Sequence, residues 1–129
     1  MQYMLMLYSE EGGWNRMTQA DQQQAAASYT AYTEALKNAG VWVASNRLQP
    51  TSTATTVHVA DGKSQVLDGP YSDSKEQIGG FYLIDVPDLD AALSWAARCP
   101  GASHGTIELR PLWPTPASSQ VPTEQLTTA

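Results

Sequence analysis

The sequence has one cysteine, one phenylalanine and few basic residues. The lone Cys99 excludes an intrachain disulfide framework. No apolar run approaches the roughly 18 residues that a membrane helix needs. Residues 1–8 lack the basic flank and cleavage site of a secretory signal, so the cytoplasm is the expected location. Seven Lys and Arg against thirteen Asp and Glu give a net charge of −6 and a pI near 4.6. Nucleic-acid binding requires a basic stripe that releases counterions from phosphate. These seven cations are scattered, so nucleic acid is not an expected partner, and neither is a membrane. His58 and His104 are not spaced with Cys99 or with a carboxylate as a metal-ligand set would be. No Ser-centred nucleophile elbow is present. Neither a metal nor a cofactor is expected.

What remains is an ordinary globular composition, 42% apolar and 16% charged over 129 residues, enough for one domain with one core. Four Trp and six Tyr supply apolar bodies with polar tips that need partners.

Tyr3 to Tyr8 is a short apolar run predicted to be a buried strand, with Tyr3, Leu5 and Leu7 on one face and Met4, Met6 and Tyr8 on the other. Thr18 followed by Asp21 resembles a helix N-cap with an acidic first turn. Ala25, Tyr29, Tyr32, Leu36 and Ala39 then recur at helical spacing, and Gly40 stops the helix. Val41 to Ala44 is expected as a strand broken at Arg47-Leu48-Gln49-Pro50. Thr53 to Ala60 alternates, and Asp61-Gly62 is a two-residue hairpin signal with Lys63 to Leu67 returning.

The stretch from Val66 to Val86 organises the chain: a turn at Asp68-Gly69-Pro70-Tyr71, a polar segment with Asp73, Lys75 and Glu76, and a strand from Phe81. Asp88 then caps a second helix with Leu89, Ala92, Leu93 and Ala96 as its buried stripe, ended by Pro100-Gly101. Thr106 to Leu112 is the last strand, with Ile107 and Leu109 on one face and Thr106, Glu108 and Arg110 on the other. Residues 1–113 form the expected domain. Residues 114–129, rich in Pro, Ser, Thr and Gln, are an expected flexible tail.

Without the inserted hairpin the order is the β-α-β-β-α-β arrangement of a ferredoxin-like α+β fold, with both helices on one face of an antiparallel sheet. The other face is apolar in the first strand and carries Glu108 and Arg110 in the last. Two such sheets face to face would cover it and leave room for a polar pocket, which implies a two-fold homodimer. In that pocket Arg110 and Glu108, with Tyr8 beside them, are the sharpest candidate ligand contacts, an Arg being able to hold a carboxylate bidentately. The weighed alternative is an ion pair across the interface or at a solvated edge.

Asp68 in the turn, Glu76 in the polar segment and Tyr29 on the helix stripe are candidate proton-transfer groups, and Lys75, Tyr71 and Tyr82 are candidate ligand contacts. For Asp68 the commoner role is to satisfy loop amides, for Lys75 and Glu76 solvated loop charge, and for Tyr29 core packing. Gly79-Gly80 marks a bulge or a close backbone approach.

Six segments together resemble the YCII-related family, in its DGPF-domain branch. They are Tyr3 to Tyr8, Leu48-Gln49-Pro50, Thr53 to Val57, Asp68-Gly69-Pro70-Tyr71, Lys75 to Ile84, and Glu108-Leu109-Arg110-Pro111, and the resemblance extends over about residues 1–113. Tyr71 stands where the branch usually has Phe. The resemblance implies a dimeric α+β barrel, a superfamily that includes isomerases and dehydrohalogenases of small ring compounds. It also implies a functional link to extracytoplasmic-function sigma factors. Family members that look like enzymes use a His–Asp pair, at positions held here by Tyr29 and Cys99. The expected function is therefore a dimeric small-molecule-binding or accessory regulatory module. The alternative is a cofactor-free isomerase or lyase acting on a cyclic or aromatic compound by proton transfer.

Overall fold

Alternation along the first strand sets the two faces of the sheet. In the computed structural model, which describes residues 1–114, β1 (Gln2–Glu10) turns Tyr3 and Leu5 into the core with Leu7 packed behind them. It turns Met4, Met6, Tyr8 and Glu10 the opposite way, because strand side chains repeat every second residue. The remaining strands are β2 (Trp42–Arg47), β3 (Thr55–Ala60), β4 (Lys63–Asp68), β5 (Glu76–Asp85) and β6 (Thr106–Pro111). The main sheet has the order β2-β5-β1-β6, antiparallel throughout, while β3 and β4 form a separate two-stranded sheet. This is the ferredoxin-like order with an inserted hairpin, as expected.

Three helices join the strands: α1 (Gly13–Arg16), α2 (Gln19–Asn38) and α3 (Leu89–Arg98). The Thr18 hydroxyl accepts from the Asp21 amide at 3.1 Å, and Asp88 Oδ1 accepts from the Ala91 amide at 2.9 Å, so both foreseen caps are made. Gly40, at φ +73°, ends α2 in the left-handed conformation that glycine adopts without a Cβ penalty.

The core lies between helices and sheet, centred on Leu5, Leu36 and Ile84, each without solvent exposure. Burial of such a side chain contributes about 2 kcal/mol. The Tyr32 hydroxyl donates to the Trp95 carbonyl at 2.6 Å, and the Tyr82 hydroxyl shares a 2.9 Å bond with Thr33 Oγ1, so both of these buried phenols are satisfied.

Several expectations need correction. Of the predicted stripe on α3, Ala92 and Ala96 are buried, but Leu89 and Leu93 are 50% and 48% exposed. The helix is turned so that Ala91, Ala92, Trp95 and Ala96 make its inner face, and Cys99 is buried just past its end. The polar segment is also less of a loop than expected, because β5 begins at Glu76. β2 runs through Arg47 rather than breaking there, and β3 begins at Thr55 rather than Thr53, which closes a 3-10 turn. The expected tail, apart from Pro114, lies outside the described residues. No described helix is long and apolar enough to cross a membrane.

Gly79 and Gly80 do both things their sequence suggested. β1 and β5 shift register between Leu7↔Gly80 and Tyr8↔Ile78, leaving Gly79 as the extra residue of a bulge. A Cβ on Gly80 would come within 2.9 Å of the Asn46 carbonyl oxygen on β2.

Candidate functional site

The bulge keeps Tyr8, Ile78, Glu10 and Glu76 on the helix-free face after the register changes. On the other side of β1, Tyr8 faces Thr106, Met6 faces Glu108 and Met4 faces Arg110. At this end of the sheet a groove of about 560 Å³ opens, lined by Tyr8, Glu10, Ser74, Lys75, Glu76, Thr106 and Glu108. Further along the same face Met4, Met6, Phe81 and Leu83 are half-buried. The face therefore has an apolar middle and a polar end.

One wall is a short loop held by its own polar groups. Gln77 Nε2 donates to the Ser72 and Ser74 carbonyls at 2.7 and 2.9 Å, and the Ser74 hydroxyl donates to the Glu76 carbonyl at 2.8 Å. Lys75 Nζ then reaches Glu10 Oε1 at 2.9 Å, with Arg16 at 3.6 Å from the other carboxylate oxygen. The hydrogen bond from Lys75 and then its charge hold the Glu10 carboxyl below its ordinary 4.5, and the same contact raises Lys75 above 10.5.

A carboxylate lowered on folding favours the native arrangement above its unfolded pKa, and that contribution goes as pH falls through the lowered value. The raised lysine acts in the opposite sense: its contribution is present below its unfolded pKa and is lost as pH rises through the raised value. The tether is complete between those limits. Glu10→Gln at neutral pH is expected to reproduce the acid state, with faster amide exchange at Lys75 and Glu76 and little change at Ser72, which Gln77 still braces. Unchanged exchange at Lys75 would show that the ion pair does not position it.

Of the residues singled out from sequence, Tyr8, Lys75, Glu76 and Glu108 come together in the groove. Arg110 lies at its rim, its Nε donating to Glu108 Oε2 at 2.9 Å, so its guanidinium already meets a carboxylate of the protein. Tyr29 and Tyr82 are elsewhere, on the helix side of the sheet. Burial, and then the nearby Cys99, push the Tyr29 phenol up to about 12, so near neutrality it carries its proton and is no base. Its hydroxyl sits where a Cβ on Gly101 would lie 2.8 Å away, which brings α2 close to the turn after Cys99. Cys99 is free and 2% exposed, and burial raises its thiol above the ordinary value.

Asp68 and Tyr71 are at the neck of the β3–β4 hairpin, Tyr71 being 95% exposed. That neck is held by the Gly69 amide on the Ala54 carbonyl (2.8 Å) and the Thr56 hydroxyl on the Gly69 carbonyl (2.7 Å), and among the described residues no group donates to the Asp68 carboxylate. Glu10, Ser74 and Thr106 are the lining residues that sequence reasoning missed. Extending the first strand's alternation by one step past Tyr8 would have found Glu10. Among the described residues no three His, Cys, Asp or Glu side chains converge as metal ligands.

Comparison with known proteins places this geometry in context. The model of a protein family described as YCII-related domain matches residues 1–116. An uncharacterised protein of Rhizobium meliloti is 34% identical over 114 residues, covering 87% of this chain and 92% of its own length. The chain is also similar in fold to the 5-chloro-2-hydroxyhydroquinone dehydrochlorinase of Burkholderia phenoliruptrix, solved in complex with 2,5-dihydroxybenzoquinone. The TM-score is 0.53 at 15% identity, over 93% of this chain and all of the other.

Proposed function

This chain belongs to the YCII-related domain family, and from that premise we propose that it is a small-molecule-binding module working as a homodimer in the cytoplasm. The ligand lies in the groove between the helix-free face and a second copy of the chain. One observation carries the reading: a sheet face whose middle is Met4, Met6, Phe81 and Leu83 and whose end is a groove of seven polar side chains or tyrosine. Contiguous apolar surface of this kind marks an interaction site, and convergent polar groups beside it give orientation to a ligand. The ligand class is a small oxygenated ring. The volume of the groove suits one, and the quinone bound by the dehydrochlorinase of similar fold is such a compound.

Titration of the isotope-labelled protein with hydroxylated benzenes, quinones and cyclic acids tests this reading. Shift changes are expected to cluster at Tyr8, Glu10, Glu76 and Thr106. Changes confined to the helix side, around Tyr29 and Cys99, would reject the groove.

A second reading, a cofactor-free isomerase or lyase, is favoured by the position of Glu76. Its carboxylate lines the groove and makes no ion pair among the described residues, so it is placed to take a proton from a bound ring. An enzyme would lose turnover and keep its ligand on Glu76→Gln, whereas a binding module has no turnover to lose.

A further inference from the structure

The β3–β4 sheet is bare. Val57, Val59 and Val66 are 61%, 59% and 61% exposed. The register sets Val57 opposite Val66 and Val59 opposite Ser64, so the three valines share one face. A two-stranded ribbon alone is marginally stable in water, and a valine face left wet removes most of what would stabilise it. The two strands pack chiefly on each other, and the Gly69 neck ties them to one another rather than to the main sheet.

Among the described residues two apolar surfaces are thus left without cover, the ribbon and the helix-free face of the main sheet. Residues 69–75 run from one directly to the groove of the other. Charge points the same way: among the described residues Lys63, at the ribbon's tip, has no ion pair, and neither has Glu76 in the groove. Six residues per strand give a reach of about 20 Å, and four strands are about 14 Å across, so the ribbon is long enough to cross such a sheet.

We propose that β3–β4 is an arm that docks on a second copy of this chain, its valine face over the Tyr8–Ile78 end of the partner's helix-free face, so that each copy roofs the other's groove. The proposal rests on the dimeric reading above and adds that the ligand site is incomplete within one chain. Two-fold symmetry makes the exchange reciprocal and closes the assembly at two, which also occupies ribbon surface that would otherwise invite open-ended association.

Spin labels test the arm and the dimer separately. A label on Gln65→Cys, on the ribbon face opposite the valines, is mixed with unlabelled protein enriched in nitrogen-15. Cys99 is too buried to take the label. Broadening is expected at the Tyr8, Ile78 and Thr106 amides of the enriched copy. A second label, on Asn46→Cys of the helix-free face, reports sheet pairing alone. Broadening from Asn46 without broadening at the groove from Gln65 overturns the arm and leaves the dimer standing. Broadening from neither overturns both.

As an independent check, Val57→Asp with Val66→Asp is expected to raise the dimer dissociation constant about tenfold or more. The monomer should still fold, because the ribbon packs on little of it. A dissociation constant within about twofold of the wild type would count against the arm.

Discussion

Gly105→Ala is expected to destabilise the protein by about 3 kcal/mol or more, the largest effect of any single methyl group that we anticipate. A Cβ at this position would lie inside van der Waals contact of the Tyr8 carbonyl oxygen and 3.1 Å from its carbon. Both are backbone atoms of β1, an inner strand of the sheet, and cannot swing aside. The start of β6 would have to leave β1, taking Thr106 from its place opposite Tyr8. For a domain of this size that cost lowers the melting temperature by roughly 10–20 °C. Gly79→Ala is the control, because nothing lies within 4 Å of its Cβ position and its φ is not left-handed. Equal melting temperatures for the two variants would mean that the approach of β6 to Tyr8 is not rigid.

If the sheets pair face to face as proposed, Phe81→Asp is expected to separate the two copies. Phe81 is half-buried opposite Met6 on the helix-free face, on the side of the sheet away from Leu5, Ile84 and the helices. A carboxylate there leaves the core of the monomer intact but places an unpaired charge where the partner must exclude water. Loss of an aromatic anchor from an interface typically weakens association by a hundredfold or so. Sedimentation equilibrium is expected to show a dimer for the wild type and a monomer for the variant at the same concentration, with melting of the monomer changed by only a few degrees. A variant that stays dimeric would move the interface to another surface.

Much of the fold is legible in the sequence because its signals are local. Thr18, Gly40 and Asp88 mark helix ends through backbone hydrogen bonds that those residue types make at once. The alternation in Tyr3 to Tyr8 fixes which residues face the helices. Where tertiary packing decides, the sequence misleads. Leu89 and Leu93 look like core residues by spacing, yet Ala92, Trp95 and Ala96 make the inner face of α3. Tyr82 is a candidate ligand contact by sequence, and only the pairing of β5 with β1 shows that it points to the helices.

The candidate site was half legible for the same reason. Glu108 and Arg110 share a face by simple alternation, but Glu76 joins Glu10 and Tyr8 only because the Gly79 bulge shifts the register by one residue. The Lys75–Glu10 contact links residues 65 positions apart, which no local pattern reports.

The central claim is that the polar end of the helix-free face binds a small oxygenated ring. A thermal-shift comparison tests it most directly, with wild type and the Lys75→Ala/Glu76→Gln double variant screened against hydroxylated benzenes, quinones and cyclic acids. At a hundredfold excess over its dissociation constant a ligand stabilises the native state by about 2.7 kcal/mol. The expected result is a class of compounds that raises the melting temperature of the wild type by several degrees and leaves the double variant unmoved. A class that shifts both proteins equally, or no shift of the wild type by any compound, would contradict it.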